Sequence, residues 1–130
     1  MKKIQPSNQP IPKGHYSPGI VYGGLVYVSG QLPMSLETRE PFTGDIGKQT
    51  ELALRNVEAV LHAAGSGLSH VLQFTIYVSD MELWGAVNAA YARVMGEHRP
   101  ARAIVPVNGL HFGTKIEIQA IAAVNVEAQA

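Results

Sequence analysis

The chain has 130 residues, 46% hydrophobic and 15% charged, a length and balance that fit one domain with a substantial core. Its 10 basic and 10 acidic side chains cancel, so charge gives no case for nucleic acid or an anionic membrane as partner. With no cysteine, disulfides, zinc–thiolate sites and cysteine nucleophiles are excluded.

Residues 1–13 contain three prolines and several polar residues and are expected to form an irregular arm. Lys2 and Lys3 are not followed by an apolar run, so this arm does not read as a signal peptide, and a cytoplasmic location is expected. Ile20–Tyr22 and Leu25–Ser29 read as a hairpin turned by Gly23-Gly24, because glycine supplies the positive φ of a tight turn. Gly30 to Asp45 is a loop broken by Pro33, Pro41 and Gly44. Ala53, Val57, Val60, Leu61 and Ala64 recur at helical spacing and predict a helix over Ile46–Ala64, ended by Gly65. Alternation over Leu68–Val78 predicts a strand with Leu72, Phe74, Ile76 and Val78 on one face. Ser79 with Glu82 forms a capping-box pattern for a second helix, and Leu83, Val87, Ala90, Tyr91 and Val94 give its apolar stripe. Gly96 and Pro100 end that helix, and Ala101–Val107 and Lys115–Val124 read as two further strands.

The order β-β-α-β-α-β-β predicts an α/β (α+β) domain with two helices on one face of a mixed sheet. Val71, Tyr77, Leu25 and Tyr27 then fall on the other face. Two helices cannot cover both faces, so a half-apolar second face implies packing against further copies. No stretch of about 18 apolar residues occurs, and no membrane span is expected.

The five histidines show no metal spacing, and no phosphate-binding or nucleophile-elbow motif is present. The residue that asks for a partner is Arg102, one guanidinium among small and apolar neighbours in Pro100-Ala101-Arg102-Ala103-Ile104-Val105. It pairs either with an internal carboxylate such as Glu117 or with the carboxylate of a ligand. Asn88 is either the polar edge of a buried helix face or an amide at a pocket rim. Tyr16 reads as a turn aromatic before Ser17-Pro18, and Gln119 shares a strand face with Lys115 and Glu117.

Tyr16-Ser17-Pro18, Val26-Tyr27-Val28-Ser29-Gly30-Gln31, Gly44-Asp45-Ile46, Asn56-Val57, Val78-Ser79-Asp80, Val87-Asn88-Ala89-Ala90-Tyr91, Pro100-Ala101-Arg102 and Ile116-Glu117-Ile118 follow one another in a specific order. In this series the chain resembles the RidA (YjgF) family, from about Gly14 to Val124. The resemblance implies a chorismate-mutase-like fold and a homotrimer with a central barrel and clefts between subunits. It also implies hydrolysis of reactive imines and enamines to 2-oxo acids and ammonia, with no cofactor and no metal. By the same resemblance, Arg102 binds the substrate carboxylate, while Tyr16, the Ser29-Gly30 backbone and Asn88 line the cleft. The backbone carbonyl of Ile104 lies near the attacking water. The departure is Gln119, where deaminase members carry a glutamate that orients or activates water. A carboxylate can accept a proton at neutral pH and an amide cannot. Two readings therefore stay open: a deaminase acting on a small carboxylate substrate, and a non-catalytic carboxylate-binding or regulatory member. The ribonuclease activity attached to some members has no support in the neutral charge.

Overall fold

The computed structural model describes residues 1–124; the end of the expected 1–130 domain lies outside them. The elements are β1 (Lys2–Ile4), β2 (Gly19–Tyr22), β3 (Leu25–Gln31), α1 (Ile46–Ala63), β4 (Val71–Val78), α2 (Trp84–Met95), β5 (Ala101–Pro106) and β6 (Ile116–Ala123). One six-stranded sheet runs β1-β2-β3-β6-β4-β5. Only β4 and β5 pair in parallel; every other strand pair is antiparallel. This mixed α+β architecture is the expected one.

The hairpin turn forms at Gly23 and Gly24, whose φ values are 61° and 79°. An L side chain meets its own backbone there, and glycine does not. Asp45 caps α1 by accepting from the Lys48 amide, satisfying one orphan donor of the first turn. The buried stripe of α1, with Leu54, Val57, Val60 and Leu61, packs with Val26, Phe74, Ile76, Ile118 and Ala122. Val87, Tyr91 and Met95 of α2 complete that core.

Three expectations change. Lys2–Ile4, expected in an irregular arm, pairs with Gly19–Val21 as β1. Ile4 is buried, so one apolar anchor orders the segment before Pro6, which lacks an amide donor, ends it. In β4, Val71 is 1% exposed and Leu72 50% exposed, the reverse of strict alternation. The β6 register passes from Val71↔Ala122 to Gln73↔Ile121, leaving one extra residue in β4, and this bulge turns Val71 into the core. The second helix does not start at Ser79. That residue's amide is held by the Lys115 carbonyl at 3.1 Å, and Asp80 instead caps a short 3-10 turn, Met81–Leu83, ahead of α2.

Both helices lie on the sheet face carrying Val28, Phe74, Ile76, Ile118 and Ala120. The opposite face carries Tyr27, Thr75, Tyr77, Gln119 and Ile121, and no element of the described chain covers it. Tyr27 there is 43% exposed. No helix among the described residues is long and apolar enough to cross a membrane.

Candidate functional site

Arg102 enters from β5, an edge strand of the sheet. The registers Phe74↔Arg102 and Ile76↔Ile104 put Arg102 and Ile104 on the helix-covered face. At this edge side chains of α2 reach over the strand. Asn88 Oδ1 accepts a hydrogen bond from Arg102 Nη1 at 2.9 Å. The guanidinium carbon lies 4.7 Å from the Tyr91 ring centroid and 5.7 Å from that of Trp84. Residues 84, 88 and 91 fall at i, i+4 and i+7, one stripe of a helix. The stripe therefore offers an amide acceptor between two aromatic faces, which suits a planar cation.

No carboxylate is within ion-pair distance of Arg102 among the described residues; the ion pairs there are Arg55–Glu58 at 3.1 Å and His62–Glu58 at 3.9 Å. An internal Arg102–Glu117 pair does not form, because the register Tyr77↔Glu117 places Glu117 on the opposite sheet face. Arg102, Asn88 and Tyr91 instead line a cavity of about 480 Å³. The Tyr91 side chain is buried, and its hydroxyl has no hydrogen-bond partner among the described residues. Burial raises its pKa, and the adjacent Arg102 charge opposes that shift. Arg102 so placed can bind an anion that comes from outside the described chain.

A second group forms on the other face. At the end of β3 the pairing with β6 skips from Val28↔Ala120 to Gln31↔Ile118, leaving Ser29 and Gly30 out of register. The Ser29 hydroxyl donates to the Ser17 carbonyl at 2.6 Å, and its amide donates to the Pro18 carbonyl at 2.9 Å. These two bonds tie the Tyr16-Ser17-Pro18 turn to the bulge. Tyr16 and Gly30 line a cavity of about 190 Å³ together with Arg39 and Phe112. Gly30 also borders a shallower cavity of about 340 Å³ with Tyr77, Glu117 and Gln119. There the Tyr77 hydroxyl donates to Gln119 Oε1 at 3.1 Å.

The expected site residues thus fall into two groups. Arg102, Asn88 and Ile104 share the helix-side face; Gly30 and Gln119 meet on the other, with Ser29 and Tyr16 tied to the bulge beside them. Within one chain the two groups do not converge. Sequence reading missed Trp84 and the role of Tyr91. The signal was an asparagine with aromatics four residues before it and three after it. Glu117 borders the same cavity as Gln119. Among the described residues no group of His, Asp or Glu is arranged to hold a metal ion.

The chain is thus a two-layer α+β domain whose sheet edge holds an arginine with no carboxylate partner among the described residues. The family described as Endoribonuclease L-PSP matches residues 6–124. The chain belongs to this family, the YjgF/RidA family. It is 42% identical over 115 residues to a RutC family protein of Pyrococcus horikoshii, covering 88% of this chain and 91% of that one. It is 36% identical over 124 residues to the 2-iminobutanoate/2-iminopropanoate deaminase of Escherichia coli, covering 93% of this chain and 96% of that one. The crystal structure of E. coli TdcF with bound serine superposes with a TM-score of 0.87 at 32% identity, covering 95% of this chain and 98% of that one.

Proposed function

We propose that the protein is a RidA-like deaminase that hydrolyses an imine or enamine bearing a carboxylate to the 2-oxo acid and ammonia. The observation that carries this reading is Arg102. Its guanidinium is oriented by Asn88, stacked by Tyr91 and Trp84, and has no carboxylate partner among the described residues. A planar fork held this way binds a substrate carboxylate through two charge-assisted hydrogen bonds. The deaminase named for the E. coli relative acts on substrates of this kind, and the serine bound to TdcF also carries a carboxylate.

The two residue groups lie on opposite sheet faces, so the complete site takes one group from each of two copies. The uncovered face with Tyr27, Tyr77 and Ile121 supplies the contact surface, and a homotrimer closes it. In that assembly Arg102 anchors the carboxylate, Asn88 and Tyr16 border the ligand, and the Ser29-Gly30 backbone faces it. The Ile104 carbonyl and Gln119 hold the attacking water. Light scattering is expected to give three times the chain mass; a monomer would remove the composite site.

A second reading, carboxylate binding without turnover, is favoured by Gln119, an amide whose oxygen is already engaged by Tyr77. An imine assay separates the two. 2-Iminopropanoate is generated from alanine by an amino-acid oxidase, and the surviving imine is trapped with semicarbazide. The protein is expected to lower the trapped imine well below the protein-free control. Equal trapping, with calorimetric binding of 2-oxo acids that depends on Arg102, would establish the second reading instead.

A further inference from the structure

We propose that Glu117 is the proton acceptor of the site, in the place that Gln119 cannot fill. This inference rests on the imine-hydrolase reading. Its starting point is the contact between Glu117 and the β3 bulge. A Cβ added to Gly30 would sit 2.7 Å from Glu117 Oε2 and 2.9 Å from its Cδ. The carboxylate therefore lies directly against the Gly30 α-carbon, in space that a Cβ at residue 30 would force it to leave. Gly30 belongs to the backbone segment assigned to face the substrate. A carboxylate packed on that segment is within reach of a water beside the ligand.

Glu117 is half-buried. Among the described residues it takes part in no ion pair and accepts no side-chain hydrogen bond. It shares its cavity with Gly30, Tyr77 and Gln119, and it is the only carboxylate on that lining; no lysine, arginine or histidine is there to neutralise it. Gln119 lies two residues on along the same strand face, about 6–7 Å away. Its Oε1 accepts a hydrogen bond from the Tyr77 hydroxyl, and an amide accepts no proton at neutral pH. Gln119 can hold a water; Glu117 can deprotonate one.

The chemistry balances with these groups alone. Glu117 takes a proton from water as the oxygen bonds to the iminium carbon, and the C=N electron pair moves to nitrogen. The protonated Glu117 returns that proton to the amine. The C–N bond then breaks, the hydroxyl proton passes back to the carboxylate, and the carbonyl forms. Ammonia leaves and picks up the last proton as ammonium. Iminium plus water thus becomes 2-oxo acid plus ammonium, with Glu117 regenerated. A positioned general base contributes about 10²–10⁴ in rate.

The test compares wild type, Glu117→Gln and the double variant Glu117→Gln with Gln119→Glu on 2-iminopropanoate. Glu117→Gln is expected to lower kcat about a hundredfold with KM changed less than threefold. The double variant, which returns a carboxylate to the same cavity, is expected to recover at least tenfold of that loss. Unfolding midpoint and oligomeric mass are measured alongside. If Glu117→Gln does not assemble, Glu117→Ala, which leaves no polar group at the site, serves in its place, with recovery of rate by added formate as the readout. Wild type active and Glu117→Gln within threefold of it overturns this inference and leaves the imine-hydrolase reading standing. No formate recovery of an inactive, folded Glu117→Ala overturns it as well. Wild type inactive on the imine overturns the reading on which it rests.

Discussion

Arg102→Ala is expected to lower kcat/KM for imine hydrolysis by about a thousandfold. The side chain offers a substrate carboxylate two charge-assisted hydrogen bonds of about 1.5–3 kcal/mol each. Losing about 4 kcal/mol of that stabilisation corresponds to about three orders of magnitude in rate. The loss is not one of folding, because β5 is an edge strand and Arg102 is only half-buried. Urea unfolding of the variant should stay within about 0.5 kcal/mol of wild type. Arg102→Lys separates charge from geometry. An ammonium keeps the charge but loses the fork and stacks poorly between Tyr91 and Trp84, so it is expected to recover no more than about tenfold. Steady-state rates with the semicarbazide trap check both variants. Arg102→Ala within tenfold of wild type would mean that the carboxylate is held elsewhere.

Asn56→Leu is expected to give a large stability loss. Asn56 is fully buried on α1. Its Nδ2 donates to the Met34 and Leu52 carbonyls, both at 2.9 Å, and reaches the Leu32 carbonyl at 3.4 Å. Its Oδ1 accepts from Arg39 Nη1. Burial already holds the Arg39 guanidinium below its ordinary pKa, and its Nε has no partner among the described residues. Leucine matches the branched shape, is somewhat larger, and makes none of the bonds. It strands the Met34 carbonyl, whereas the Leu32 carbonyl keeps the Met34 amide at 2.8 Å, and it removes the one side-chain acceptor of Arg39. At about 1–3 kcal/mol for each unsatisfied buried group, the expected cost is about 3–4 kcal/mol. For a chain of this size that lowers Tm by about 10–15 °C. Thermal and urea unfolding check it; a loss under about 1 kcal/mol would show that water replaces the amide. The same residue matters to the site, since the segment it holds carries Leu32, Met34 and Arg39, all on the cavity wall with Tyr16 and Gly30.

The periodic parts of the fold were legible in the sequence because burial acts at fixed spacing. Val57, Val60 and Leu61 at helical intervals, and Phe74, Ile76 and Val78 at strand intervals, all lie in the core. Failures came where one local interaction overrode a pattern. A bulge reversed Val71 and Leu72. A carbonyl claimed the Ser79 amide and shifted the helix start. A single buried isoleucine turned part of an arm into β1. None of these leaves a periodic trace.

For the site, the sequence offered residue types and left their convergence open. Arg102 was visible as a charge in an apolar run. Its true surroundings, an amide and two aromatic rings on α2, were not, because the Tyr91 position reads as ordinary core. Which face each residue occupies depends on strand order, and β6 between β3 and β4 cannot be inferred from local pattern. That order sets Arg102 and Gln119 on opposite faces, and it brings Glu117 onto Gly30.

The position of β6 also bears on how the chain comes together. The last of the described strands is the central one, flanked by β3 and β4. Until it docks, β1-β2-β3 and β4-β5 are two separate pieces of sheet with no hydrogen bonds between them. The β3–β6 register joins Leu25 to Ala123, so the contact that unites the halves closes nearly the whole length of chain. Such distant pairing costs loop entropy before it returns any stability, and it slows folding. During synthesis the open edges of β3 and β4 stay exposed until residue 123 has left the ribosome. Nascent chains stalled before β6 are the species most prone to pair with one another instead of with themselves.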